Sequence, residues 1–433
     1  MTEFDVVVLG GGLSGTRAAL RAAELGGKVC LVEKGTIGRK GFLRRNILLT
    51  DCRSNNDSVE WVSQLERQEK LAEEYCENLE KKLAQAGVVL LEGDGILAGP
   101  SEISVQGKEK NHTITGKSLI LACGSDPSFP STLPREENVI ISIDEIYQLK
   151  KIPEKVLLVG AGKWGAEAAL GFQKLGCKVF LCVDSVEILP EMDPEFNLKV
   201  EAQLKSRKIK ILPDKKIISF FKNADDLEMT LETGIKFATN LIVMVDQIKG
   251  SEQNKVAESL GARLGNKDEI FVDDRMMSSI PGVYGVGSIT GKRVTDMMSQ
   301  EQGKVAADNA MGKNRQLNPE WVPEINRLVQ NVGYVGCSIK SAPQQGFHPV
   351  EGVYESEMFE GEIFKIVADK RTKMVVGAQI ISNQAAELIP MILLLIKKGI
   401  TVANLANSTS FEMTRFQEVS CAARTCLQAI KSQ

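Results

Sequence analysis

Gly10, Gly12 and Gly15 stand in the order G-x-G-x-x-G. An acid, Glu33, follows about twenty residues on, the spacing at which a carboxylate meets the ribose of a dinucleotide seated on the glycines. Each glycine has a physical job. Gly10 permits a tight turn, Gly12 lets a pyrophosphate approach the backbone, and Gly15 lets a helix pack closely on a strand. The same spacing returns at Gly160, Gly162 and Gly165. A repeated cradle implies two nucleotides, or one nucleotide and a decayed second site. A chain that holds two dinucleotides is most simply one that passes a hydride from one to the other.

The flanking residues supply the elements that such cradles need. Residues 5–9 are an almost wholly apolar run, as in a buried parallel strand. An Ala-rich helical stretch, 16–25, comes after the glycines, and a second apolar run, 28–32, ends at Glu33. The helix start would offer N–H groups and positive dipole to phosphates. Around the second motif, strand 155–159, a helix to Leu175 and strand 179–183 repeat the pattern.

A length of 433 residues allows two or three domains. A net charge of −3 gives no support to a nucleic-acid or anionic-membrane partner. The longest apolar run, 388–396, contains Pro390 and is too short to span a bilayer. The N-terminus enters a strand at once, so no signal peptide is expected. Nine scattered cysteines suit a reducing, cytoplasmic setting. Cys177 and Cys182 bracket a strand and fall on opposite faces. Cys421 and Cys426 lie about 140° apart around a helix. Both pairs are expected as buried free thiols. His112 and His348 are the only histidines, and both read as surface or turn residues.

Elsewhere, Arg39, Lys40, Arg44 and Arg45 form a basic stretch. Residues 58–86 are expected as a long helix burying Trp61, Leu65, Leu71 and Leu79. Strands are expected at 88–91 and 118–124, a Pro-rich connection at 127–134, and a helix over 294–311. From about residue 316, short strands and then helices at 384–398 and 414–430 describe an α+β tail.

With these motifs placed, the chain resembles the flavoprotein disulfide reductases, the class I pyridine nucleotide-disulfide oxidoreductases, and most of all dihydrolipoamide dehydrogenase. Residues 33–38 resemble the end of that family's first FAD motif. Leu121-Ala122-Cys123-Gly124-Ser125 is similar to its A-T-G-S segment, residues 188–195 to its I-L-P-x-M-D-x-E, and 281–288 to its P-x-I-Y-A-I-G-D. The resemblance implies an α/β fold with two Rossmann-like domains, for FAD and NAD, and a C-terminal α+β dimerisation domain. The implied boundaries are 1–149 and 271–315 for FAD, 150–270 for NAD and 316–433 for the interface of a homodimer.

The departures fall on the chemistry. The family's redox disulfide lies just after its first motif. Gly41 and Asn46 occupy the two cysteine positions here, and Thr50 that of a lysine near the flavin. Cys52 is the only nearby thiol, and one thiol makes no dithiol couple within a subunit. The family's essential histidine–glutamate pair maps to 407–414, which holds no histidine. Glu412 and Glu418, the carboxylates in that region, are expected as helix-surface charges. Dihydrolipoamide oxidation by the family mechanism is excluded on this alignment.

For FAD, the resemblance carries over Gly10, Gly12, Leu13, Ser14, Gly15, Glu33, Lys34, Gly95, Ala122 and Gly124, with Ser288 in place of an aspartate that binds the ribityl chain. For NAD it carries over Gly160, Gly162, Trp164, Gly165 and Glu167. This second site is weakened: Val183 stands where an acid is expected and Asp184 one place late, and Asp246 to Gly250 replace a G-R-x-P-N turn. Trp164 is expected to pack the domain. The chain is therefore expected to be an FAD-dependent NAD(P)H oxidoreductase passing electrons to a quinone, dye, second nicotinamide or protein. Arg44 and Arg45 favour an anionic acceptor or the reduced flavin. The alternative is a catalytically silent FAD-binding relative serving as a scaffold or regulatory partner, for instance of a lipoyl-bearing protein.

Overall fold

The computed structural model describes residues 2–47, 58–107, 111–223, 226–291 and 294–432. Thr50 and Cys52 lie outside this set, and of Arg45 only the backbone is described. The chain divides into two units: Met1–Pro153 with Leu241–Asn318, and Glu154–Asn240 with Pro319–Gln433.

The first unit opens with β1 (Thr2–Leu9), α1 (Leu13–Glu24), β2 (Val29–Glu33), α2 (Arg39–Ile47), α3 (Ser58–Gln85), β3 (Val89–Glu92), β4 (Asp94–Gly99), β5 (Glu102–Gln106), β6 (Asn111–Leu121), β7 (Asp126–Pro127) and β8 (Ile140–Ser142). The chain then builds β9 (Lys155–Val159), α4 (Gly162–Lys174), β10 (Lys178–Val183), α5 (Pro194–Ser206), β11 (Lys210–Pro213), β12 (Ile217–Asn223), β13 (Asp226–Leu231) and β14 (Lys236–Thr239) in the second unit. It returns to the first with β15 (Leu241–Met244), β16 (Ile248–Lys249), α6 (Glu252–Ser259), β17 (Val283–Gly285) and α7 (Asp296–Ala310). It closes in the second with β18 (Glu324–Asn326), β19 (Val332–Gly336), β20 (Pro349–Glu355), β21 (Ile363–Asp369), β22 (Val375–Ile381), α8 (Ala385–Lys397), α9 (Val402–Ala406) and α10 (Arg415–Ser432).

In the first unit the main sheet runs β3-β2-β1-β6-β5-β4, with β17 also paired to β6. Strands β1, β2, β3, β6 and β17 are parallel, while β4 and β5 return antiparallel. Alternation along β1 serves two cores. Val6 and Val8 pack with α1 and α7 residues such as Ala18 and Val305, and Val7 and Leu9 pack with Ile103 and Ala257. Burial on both faces explains why the strand reads as a continuous apolar run. Helix α7 lies directly on α1, where a Cβ added to Gly303 would sit 2.4 Å from the Ser14 carbonyl oxygen.

Residues 241–270, expected with the second nucleotide domain, belong to the first unit instead. Ala257, Ala262 and Ile270 share a core with Phe4 and Leu119, and that apolar burial binds the segment there. Leu71 of α3 is exposed, whereas Trp61, Gln68, Ala72, Cys76, Leu79 and Leu83 are buried. The Trp61 Nε1–H donates to the Leu149 carbonyl at 2.8 Å. The helix turns about that anchor, and Leu71 falls one position outside the stripe.

In the second unit, β11-β10-β9 form a parallel sheet beside α4, β12-β13-β14 an antiparallel meander, and β18-β19-β22-β21-β20 an antiparallel sheet. Helices α8 and α10 cover this last sheet through Ile389, Ile392, Val419 and Ala422. Helix α10 crosses β20 so closely that a Cβ on Gly352 would lie 2.1 Å from the Cys426 nitrogen. Among the described residues no helix is long and apolar enough to cross a membrane.

Candidate functional site

The first unit contains a cleft of about 610 Å³ at the ends of its parallel strands, within the size range of cofactor sites. Gly10, Gly12, Leu13, Ser14, Glu33, Lys34, Gly95, Ala122, Gly124 and Ser288 all line it. Gly15 does not. It sits behind the turn, where a Cβ would fall 2.0 Å from the Gly10 carbonyl oxygen. Gly10 has φ +109 and backs onto Ala122. Gly12 is the N-cap of α1, and an added Cβ there meets nothing within 4 Å. The turn is thus tight where it touches protein and open where it faces the cleft.

Glu33 ends β2, and each of its carboxylate oxygens accepts a backbone N–H: Gly11 at 2.5 Å and Gly35 at 2.9 Å. These bonds fix the carboxylate at the rim, where each oxygen retains a lone pair for a hydroxyl donor. Cys123 also lines the cleft. Burial pushes its thiol up to about 12, so it is protonated at neutral pH and no nucleophile.

Helix α2 forms another wall. Lys40, Gly41 and Arg44 face the cleft, while the Asn46 side-chain amide turns back and donates to the Phe42 carbonyl at 2.9 Å. Of the two positions aligned with the family's cysteines, only Gly41 reaches the cleft. Asp144 holds Arg44 Nη1 at 3.1 Å, and Lys40 Nζ lies 3.9 Å from its other oxygen. Asp144 is seated by a capping box in which Ser142 Oγ accepts its N–H and the Glu145 carboxylate accepts the Ser142 N–H. The sequence reading missed Asp144. The signal was present as Ser142-Ile143-Asp144-Glu145, the S-x-x-E pattern of a helix start.

The second cradle lies wholly in the second unit. Gly165 again backs onto Gly160, its added Cβ 2.5 Å from that carbonyl oxygen. The Gly162 N–H donates to the Ile188 carbonyl at 2.8 Å. Trp164 is 8% exposed and packs inside the unit. Glu167 accepts the Arg327 backbone N–H at 2.8 Å. Val183 is buried at the strand end and Asp184 is exposed beyond it. Asp246, set against this site in the sequence reading, belongs to the first unit.

In the tail, Phe411, Glu412 and Met413 are exposed, but Glu418 is buried. Glu418, Ala422 and Cys426 share one face of α10, and the contact at Gly352 presses that face onto β20, so the expected surface charge lies inside. His112 and His348 are exposed. The described cysteines are all free, and burial pushes Cys177 up to about 12, Cys182 to about 11 and Cys426 to about 12.

Residues 4–310 match the family model described as pyridine nucleotide-disulphide oxidoreductase, and residues 330–420 match that family's dimerisation domain. The chain is 25% identical to dihydrolipoyl dehydrogenase 1, mitochondrial, of Arabidopsis thaliana, over 89% of this chain and 83% of the relative. It is also 25% identical to the soluble pyridine nucleotide transhydrogenase of Mycobacterium bovis, over 90% of each. The crystal structure of LpdA from Mycobacterium tuberculosis superposes with a TM-score of 0.84 at 21% identity, covering 98% of this chain and 99% of that one.

Proposed function

The chain belongs to the pyridine nucleotide-disulphide oxidoreductase family, and from that premise we propose that it is an FAD-dependent NAD(P)H oxidoreductase working without a redox disulfide. The observation that carries this reading is the α2 wall: Gly41 lines the cleft where a thiol would be needed, beside Lys40 and Arg44. FAD, when bound, would take a hydride equivalent from a reduced nicotinamide and release two electrons to an acceptor. With a quinone, the balanced reaction is NAD(P)H + H⁺ + quinone giving NAD(P)⁺ + hydroquinone.

The cleft fits that cofactor. The open face of Gly12 and the α1 N-terminus suit a pyrophosphate. Glu33 suits the adenosine ribose. Gly95, Ala122 and Gly124 offer backbone contact, and the Ser288 hydroxyl suits the ribityl chain. In the second unit the Gly160–Gly165 turn suits a nicotinamide dinucleotide. That site is the weaker of the two, with Gly162 N–H committed to Ile188 and Asp184 offset from the strand. Those two features favour the second reading, an FAD-holding relative without turnover. The match to the dimerisation domain supports a homodimer.

An absorbance spectrum followed by anaerobic NADH, then NADPH, tests the proposal. A flavin band that bleaches on addition is expected. A flavin band indifferent to both nucleotides overturns it in favour of the scaffold reading.

A further inference from the structure

Ser251-Glu252-Gln253-Asn254 opens α6. Asn254 is wholly buried, and its amide donates to the Asp268 carbonyl at 2.7 Å and the Ile289 carbonyl at 3.2 Å. Ser251 Oγ donates to Asn254 Oδ1 at 3.1 Å. Ala257, further along the helix, packs in the core with Phe4 and Leu119. The first turn of α6 is therefore held from behind, while Ser251, Glu252 and Gln253 line the cleft.

Gln253 reaches across to β4, where its Nε2 donates to the Gly95 carbonyl at 2.9 Å. A carbonyl only accepts, so this contact settles which end of the amide is which. The other end, Oε1, is buried and meets no donor among the described residues. Such an acceptor is costly until a donor reaches it, and the last torsion of a glutamine is soft enough for the oxygen to swing toward one. Gly95 identifies the donor. An added Cβ there would lie 2.4 Å from Leu9 Cδ1 and 3.0 Å from Val32 Cγ1, so the residue abuts the ends of β1 and β2. The Gly93 N–H donates to the Glu33 carbonyl at 3.0 Å. Gln253 thus stands at the Glu33 end of the cleft. Glu33 suits the adenosine ribose, and in an adenine dinucleotide the group attached to that ribose is the base.

We infer that Gln253 reads this base, its Oε1 accepting a hydrogen bond from the 6-amino group of adenine and so selecting adenine over a purine without that donor. The inference rests on FAD filling the cleft, as proposed above, and not on turnover. Glu33, Asp94 and Glu252, which line the same end, are acceptors as well, with Lys34 the one cation beside them. This end of the cleft therefore suits a base edge that donates.

The probe is FAD set beside the same dinucleotide carrying hydrogen in place of the adenine 6-amino group. Each is titrated into the flavin-free whole chain, and flavin fluorescence gives the affinity. Wild type should hold FAD about tenfold tighter than the analogue, the effect of one buried hydrogen bond. Gln253→Met keeps the length of the side chain and removes the acceptor. It should lower the FAD affinity to that of the analogue, and leave the analogue's own affinity within about twofold. A side chain that merely tied α6 to β4 would, on substitution, weaken both dinucleotides alike, and that result overturns the proposal. So does equal affinity of wild type for the two, or a preference that survives Gln253→Met. If the protein holds neither dinucleotide, the FAD reading itself falls and this one with it. Equal binding of both leaves FAD in place and removes only Gln253 from the base.

Discussion

The Lys365 ammonium lies 3.0 Å from an Asp193 oxygen, with the two side chains 1% and 3% exposed. Glu195 and Glu351 complete its shell. The contacts to Asp193 and Glu195 tie the start of α5 to β21 of the five-stranded sheet. Removing one partner of a buried pair leaves charge uncompensated, so Lys365→Met should destabilise the second unit by about 3–5 kcal/mol. Burial opposes the charged lysine, but its bonds to Glu195, Glu351 and Asp193 prevail and raise it above 10.5. The stabilisation is therefore complete below pH 10.5 and fades only as the pH climbs through the raised folded value. Urea melts of wild type and Lys365→Met at pH 7 and pH 11 check this, and a gap that stays constant between them would count against it.

Asp308 behaves in the opposite sense. Its side chain is 4% exposed and accepts from Arg21 and Arg315 at 2.8 Å each. Burial works against its ionisation, but the two arginines win and hold it below 3.8. The contribution is present above 3.8 and is lost as the pH falls through the lower folded value. Asp308→Ala should cost about 2–3 kcal/mol at pH 7. The difference should narrow on acidification below pH 3.8, as measured by denaturant titration of both proteins.

Two glycines of the first cradle should separate folding from cofactor binding. Gly15→Ala places a Cβ 2.0 Å from a backbone oxygen, and overpacking of that kind should cost about 3 kcal/mol or more. Gly12→Ala meets no protein atom within 4 Å. It should melt like wild type yet hold FAD at least tenfold more weakly. Calorimetry and flavin-to-protein ratio measure the two effects. Equal melting losses in both variants would falsify the separation.

Ser288 lines the cleft beside Gly124, at the position where the family resemblance implies an aspartate. A charge-assisted bond gains about 1–3 kcal/mol over a neutral one, roughly tenfold to a hundredfold in affinity. Ser288→Asp should tighten FAD by that factor in an apoprotein titration. An unchanged or weaker affinity would remove Ser288 from the ribityl contact.

The cradles were legible because their chemistry is local. Turn glycines, an apolar strand and an acid at the strand end are neighbours in sequence, and Gly10, Gly12 and Glu33 line one cleft. What stayed hidden was set by distant packing. Glu418 reads as a surface charge, and only the crossing of α10 over Gly352 buries it. Leu71 reads as core until Trp61 fixes the rotation of α3. The pairing of Arg44 with Asp144 spans 100 positions and carries no local pattern beyond the capping box that seats the acid.

Gly41 and Asn46 have a consequence for storage capacity. A flavin paired with a dithiol can bank four electrons per subunit, two on each centre. On the function proposed above, with no sulfur at either position of α2, the flavin alone would store electrons, two per subunit. It would then have to discharge before loading again, and a scarce acceptor would halt it after a single nicotinamide. Anaerobic dithionite titration should reach its end point at two electrons per FAD, and an end point of four would reveal a second redox centre in the chain.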